Sequence, residues 1–153
     1  MNLTIIGRAE RVTFPGLTLG SVPARIDTGA KTSSIWATQV KEENGTLSFV
    51  MFGKSNPFYN GQKIVVKRYE TRVVSSSNGV AEERYVVKLL VKIKSRQIRA
   101  SFSLANRSSQ VYPILIGRNV LRGKFIVDVK EGKPHTDRER KRSAELSALR
   151  RKI

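Results

Sequence analysis

Apolar and polar residues alternate with period two along most of the chain up to about residue 130, the spacing of half-buried strands and not of helices. Val22, Ala24 and Ile26 alternate with Ser21, Pro23 and Arg25, which predicts a strand from Ser21 to Ile26. Leu3 to Phe14 reads as a strand broken at Gly7 and ended by Pro15-Gly16. Ser34 to Val40 and Thr46 to Phe52 read as two strands joined by Asn44-Gly45, a strong hairpin-turn pair. Gly53 to Gly61 is a loop, and Gln62 to Val74 is again rich in strand formers. Ser75-Ser76-Ser77-Asn78-Gly79 marks a second hairpin tip, from which Val80 to Lys94 returns as a long strand, followed by Gln97 to Leu104. Ile114 to Ile116 is a short apolar strand, Arg118 to Leu121 has room for one helical turn, and Phe125 to Val129 is the last strand. Many short strands at this spacing predict an all-β fold, closed or sandwiched.

The pattern changes after Gly132. Thr136-Asp137-Arg138-Glu139 has the form of a capping box, with Thr136 as N-cap and Glu139 at N3. Leu146, Leu149 and Ile153 then fall on one helical face. This divides the chain into a β domain, residues 1–132, and a helical tail, residues 133–153. The tail carries eight Lys or Arg against three Asp or Glu. Its charge fits a solvated helix, or one that docks on its own body, on a second subunit or on an anionic partner.

Composition narrows the function. The 153 residues hold 29 Lys and Arg against 12 Asp and Glu, a net charge of +17. Such a field attracts polyanions: nucleic acid, anionic lipid or an acidic polypeptide. No stretch of about 18 apolar residues predicts a membrane span, and Met1 to Gly7 lacks the basic start and cleavage site of a secretory signal. The chain has no cysteine, hence no disulfide and no thiolate site, which fits a cytoplasmic protein. One histidine, His135, lies in the polar tail and is expected to be exposed. A zinc site built from several Cys or His ligands is out of reach of one protomer. Gly117 to Phe125 superficially suggests a P-loop, but five residues separate its glycines and Phe125 stands where Ser or Thr should hold magnesium. No metal or cofactor is expected.

The candidate chemistry lies in Asp27-Thr28-Gly29-Ala30-Lys31-Thr32-Ser33-Ser34, directly after the predicted strand. An Asp followed two residues later by Gly is either a turn former or an acid held for chemistry. Ser33 and Ser34 lack a nearby base, since His135 is far along the chain, which disfavours a serine nucleophile.

Three stretches in order, Arg25 to Ser34 (RIDTGAKTSS), Arg72 to Arg84 (RVVSSSNGVAEER) and Leu115 to Asp128 (LIGRNVLRGKFIVD), resemble the retropepsins, the single-lobe aspartic peptidases. The resemblance covers roughly residues 4–130 and is to a bacterial branch called RimB-like, also labelled an ATP-dependent zinc protease family and associated with RimK-type glutamate ligases. The zinc and ATP of that label find no counterpart in these residues.

The resemblance implies a small closed acid-protease barrel with a flap hairpin and one short helix. It implies a homodimer in which each protomer supplies one Asp, here Asp27. Thr28 would hydrogen-bond across the dimer, and Gly29 would let the two carboxylates approach. Ala30 and Ser33 would support the active turn, and Ile116-Gly117 would pack beneath it. Residues Ser75, Ser76, Ser77, Asn78 and Gly79 would form the flap tip. Two carboxylates in contact keep one proton between them, so one activates water and the other protonates the peptide carbonyl. That division of labour belongs to the general account of aspartic proteases.

One position departs from the resemblance. Many retropepsins carry an acid two residues after the glycine, paired with the Arg of the Gly-Arg-Asn segment; here Lys31 stands there. Lys31 and Arg118 would repel, so Arg118 must find another partner or face the substrate. Lys31, Arg118, Arg72 and Arg84 are therefore expected to line a basic cleft for acidic side chains, although Arg72 and Arg84 have a simpler role in pairs with Glu82 or Glu83. Asp128 and Asp137 are the remaining aspartates. Asp128 reads as structural, and Asp137 suits the first turn of a helix. The expected substrate is an acidic, glutamate-rich segment, with a RimK-type ligase or a ribosomal protein as partner. The alternative is a basic β-barrel that binds RNA or ribosome without peptidase activity; against it, aromatic content is only 7%, thin for base stacking.

Overall fold

The computed structural model describes residues 2–75 and 78–151. Six strands close a barrel: β2 (Ala9–Thr13), β3 (Val22–Ile26), β4 (Ser33–Glu43), β8 (Ala81–Ile93), β9 (Arg96–Ala105) and β10 (Ile114–Ile116). The ring runs β10-β3-β2-β8-β9-β4, and β4 pairs back to β10. Two of its pairings are parallel, β3 with β10 and β4 with β9. Closure removes free sheet edges around the core. Inside the ring the alternating residues meet: Val12, Val22, Ile35, Val91, Phe102 and Ile114 are fully buried, and Phe14 meets Phe102 edge-on with centroids 5.9 Å apart.

The remaining strands hang on this ring. β1 (Thr4–Ile6) pairs in parallel with β11 (Phe125–Val127) as a separate two-stranded sheet. The break before β2 is held by the buried carboxylate of Glu10, which accepts the Gly7 N–H at 2.7 Å. β5 (Thr46–Met51) returns along β4 through Asn44-Gly45. Both turn residues have positive φ, +53° and +73°, as a type I′ hairpin requires. The stretch read as one β-rich segment from 62 to 74 is two strands with different neighbours. β6 (Lys63–Val66) extends β5, whereas β7 (Glu70–Ser75) pairs with β8. Between them Tyr69 packs edge-on against Tyr85, which carries the chain across. β7 and the start of β8 form a largely exposed hairpin. Within its predicted tip, Ser76 and Ser77 lie outside the described residues, and Asn78 Oδ1 accepts from the Val80 N–H at 3.3 Å.

The short helix α1 (Arg118–Leu121) follows β10 directly and buries Val120 and Leu121. The tail forms α2 (Thr136–Arg151), with none of its residues buried. Its start corrects the expected capping box. The Glu139 N–H donates to the carbonyl of His135 at 2.9 Å, so the capping position is His135 and Thr136 is already helical. The Glu139 carboxylate turns instead to Arg8, with Nη1 at 2.7 Å and Nη2 at 3.1 Å.

The root of the tail is pinned to the barrel. Lys133 N–H donates to Ala9 O at 2.8 Å, and His135 N–H to the Tyr112 hydroxyl at 2.9 Å. His135 is thus not the exposed residue its polar neighbours suggested. It is half-buried and stacks on Tyr112 at 5.8 Å, and its Nε2 finds no hydrogen-bond partner among the described residues.

Burial, and the nearby Arg138 and Arg11, hold the His135 imidazole below its ordinary value of 6.5. The unfolded chain therefore takes up a proton there more readily than the folded one, so stability rises with pH through that value and falls below it. The thermal midpoint should drop as pH falls from about 7.5 to about 5.5, and drop less in His135→Gln, which does not titrate. Equal drops in the two proteins would remove His135 from this account.

Candidate active site

Asp27 follows β3 at the point where β3 and β10 run parallel and in register, Ile26 beside Ile116. Its N–H donates to the Ile116 carbonyl at 2.8 Å, which ties the turn to the neighbouring strand. The turn closes through Ala30 N–H to Asp27 O at 3.2 Å, and Asp27 Oδ1 accepts from the Gly29 N–H at 2.9 Å. One carboxylate oxygen is thereby oriented, while Oδ2 has no hydrogen-bond partner among the described residues. The carboxylate is half-buried; Thr28 and Gly29 are exposed, Ala30 is half-buried and Lys31 is exposed.

Beneath the turn sits a buried polar lattice. Ser33 is fully buried. Its Oγ donates to Asn119 Oδ1 at 2.7 Å and accepts the Gly117 N–H at 2.9 Å. Asn119 Nδ2 donates to Ser101 O on β9 at 2.9 Å, and the Asn119 N–H to Lys31 O at 3.3 Å. The Arg118 N–H reaches Ala30 O at 2.8 Å. Gly117 is required here for space: a Cβ would lie 2.2 Å from the Thr32 carbonyl oxygen and 2.9 Å from that of Ala30. The turn thus rests on backbone from β9, β10 and α1 together.

The four cations expected to gather around the site part company. Arg118 Nη1 donates to the Thr28 carbonyl at 3.1 Å, so Arg118 braces the Asp27 turn through backbone and has no carboxylate partner among the described residues. Arg84 pairs with Glu82 at 2.6 Å, as its position suggested, and also approaches Ser103 Oγ at 3.5 Å. Arg72 pairs with Glu70, not with Glu82 or Glu83. Arg72 lies in a groove of about 910 Å³ on the outer face of β8 and β9, with Lys67, Arg68, Lys88 and Arg99. Asp128 is structural: its N–H donates to Ile6 O and its Oδ1 accepts from Lys130 N–H at 2.9 Å.

Two functional candidates escaped the sequence. Asn119 was visible only as part of Gly-Arg-Asn. Arg107 lies in the 106–111 loop, where no pattern marks it. Its Nε donates to the Tyr112 carbonyl at 3.0 Å. Burial and the charges of Arg25 and Arg84 pull the Arg107 guanidinium down to about 10, and Asp27 is the opposing charge that acts on it. Arg25, Arg84 and Asp27 are therefore each within electrostatic reach of Arg107. Among the described residues no three His, Asp or Glu gather as a metal site.

A closed barrel with an Asp-Thr-Gly turn braced by a Gly-Arg-Asn helix, and a hairpin beside it, is the architecture of a single-lobe acid protease. Residues 5–136 match the RimB-like family, described as the retropepsin-like aspartic endopeptidase RimB, and the chain belongs to that family. Similar proteins include a probable alpha-L-glutamate ligase of Shewanella pealeana, 34% identical over 138 residues. Another probable alpha-L-glutamate ligase, of Parasynechococcus marenigrum, is 31% identical over 132 residues. These matches cover 85% and 81% of the chain but only 29% and 28% of the relatives. The chain thus corresponds to less than a third of the curated relatives it matches. Among solved structures, a Legionella pneumophila protein of unknown function aligns with a TM-score of 0.62 and 26% identity, over 86% of this chain and 97% of that one.

The lattice makes a stability prediction. Ser33→Ala leaves the Gly117 N–H short of a partner in a buried place, at a cost of ~1–3 kcal/mol. Gly117→Ala, which forces carbonyl oxygens apart, should cost at least as much. Urea unfolding measures both; wild-type midpoints in both variants would show that the lattice does not hold the turn.

Proposed function

We propose that the protein is an aspartic endopeptidase in which Asp27 activates water against a peptide carbonyl, acting as a homodimer in the cytoplasm. The observation that carries this reading is the Asp27 carboxylate itself, with one oxygen fixed by Gly29 N–H and the other without a hydrogen-bond partner among the described residues, on a turn whose outer face is exposed. The chemistry needs a second carboxylate that shares a proton with the first. Asp128 is engaged at the end of β11, and Asp137 lies in the first turn of α2. The second carboxylate is accordingly Asp27 of another copy, with Thr28 and Gly29 at the meeting point. The β7–β8 hairpin, with Ser75 to Gly79 at its tip, would close over the bound peptide.

The substrate we favour is an acidic, glutamate-rich segment. The net charge of +17 supports it, as do Lys31 and the arginines around Asp27. The probable glutamate ligases among the relatives supply a natural source for such a segment, on a ligase or on a protein that it modifies, for example a ribosomal one. A second reading, a basic barrel that binds RNA, draws on the 910 Å³ groove, where five cations meet one acid already paired.

Asp27→Asn should lower hydrolysis of glutamate-rich peptides by ~10²–10⁴-fold, the range for loss of an acid–base group, and leave the thermal midpoint near that of the wild type. Undiminished hydrolysis would refute the assignment. Solution mass should correspond to two chains. RNA binding that weakens steeply as salt rises and is lost on removal of the groove cations, in a protein without peptidase activity, would favour the second reading.

A further inference from the structure

Between α2 and the end of β3 lies a cleft of about 510 Å³. Four guanidinium groups line it: Arg8, Arg25, Arg107 and Arg142, against one carboxylate, Glu139. Ile26 also lines it, so the cleft opens beside the residue that precedes Asp27. A volume of this order suits a small group held in a pocket.

The charges in the cleft are unequally matched. Glu139 is taken up by the two-pronged contact with Arg8. Arg142 is drawn outward toward Glu145 at 3.5 Å. Arg25 and Arg107 are left without a carboxylate partner among the described residues. Arg25 projects outward because its neighbours on β3, Ala24 and Ile26, face the core. Arg107 is half-buried and fixed in orientation through Nε by Tyr112. Two cations brought together, with Asp27 acting on Arg107 only through its charge and forming no ion pair with it, favour a bound anion.

A carboxylate has the shape and charge to fill this role. The planar guanidinium fork matches a carboxylate with two parallel hydrogen bonds, and Arg8 with Glu139 already forms such a pair in the same cleft. α2 buries none of its own residues, so covering the core does not explain its position. As the outer wall of an anion pocket its position has a purpose.

We propose that this cleft is a subsite for the side-chain carboxylate of a substrate residue flanking the scissile bond, seated by Arg25 and Arg107, with α2 as its outer wall. Its use in catalysis rests on the peptidase reading; binding at the cleft does not. The tail is then part of the substrate site, and specificity is read chiefly on the β3 side of Asp27 instead of at Lys31.

The test is made in full-length Asp27→Asn protein, so that nothing is cut. A labelled hexaglutamate peptide is titrated by fluorescence anisotropy, with hexaglutamine as the neutral control and oligouridine as competitor. Arg25→Gln should weaken hexaglutamate binding ~10-fold, the scale of one charged hydrogen-bonded contact. Arg107→Lys, which keeps the charge but loses the fork, should weaken it several-fold. Lys54→Gln removes the same unit of charge from an exposed loop outside the cleft and should leave the affinity near that of the parent. Arg25→Gln is the safer variant for folding because the side chain is exposed.

Equal affinity in Arg25→Gln and Lys54→Gln would overturn the proposal. So would hexaglutamine binding as tightly as hexaglutamate, or oligouridine binding more tightly and losing affinity in the same variants, which would make this a phosphate site. Failure of the peptidase reading appears separately, as wild-type protein that binds hexaglutamate but hydrolyses nothing.

Discussion

Everything at the active turn depends on one constraint: Gly117 has no side chain, so the Asp27 turn and the start of α1 can lie backbone on backbone. The close approach lets Ser33 Oγ bond both the Gly117 N–H and Asn119, and lets Arg118 reach the Thr28 carbonyl. Ser33 and Gly117 are buried, where an unpaired donor is costly. The bonds therefore hold as a set. Their effect is to fix the direction of a carboxylate without occupying both of its oxygens.

A barrel closed partly by parallel pairs makes this possible. β3 and β10 come from distant parts of the chain, yet they end together. The Asp27 turn leaves one and α1 leaves the other, so the two loops meet at a single end of the ring. The hairpin of β7 and β8 needs no such support and is largely exposed. A rigid turn beside a separate hairpin suits the proposed peptidase, which would admit a polypeptide and then cover it.

Much of this was legible in the sequence, for identifiable reasons. Period-two alternation located nearly every strand because the barrel buries one face of each. Asn44-Gly45 was legible because its backbone role admits few other residues, whereas Gly117 was marked only by the family resemblance. The capping box was misleading because Glu139 has a better partner in Arg8, 131 residues away in sequence, and local chemistry cannot announce such a contact. His135 was misjudged for the same reason: Tyr112, which buries it, is remote in sequence. Arg107 had no local signature at all, since its importance arises only where the 106–111 loop meets Arg25, Arg84 and Asp27. Arg118 illustrates the opposite case. The absence of an acid at Lys31 was plain from the sequence, but the substitute partner, a backbone carbonyl, was not.

The central claim is that Asp27 works as one of a pair drawn from two chains, and a mixing experiment tests it most directly. Wild-type protein is refolded together with an equal amount of Asp27→Asn protein, and peptidase activity is measured per wild-type chain. Random pairing leaves about a quarter of the dimers with both aspartates, so activity per wild-type chain should fall to about half. Activity per wild-type chain that stays unchanged would mean that each Asp27 acts alone, and would contradict the account.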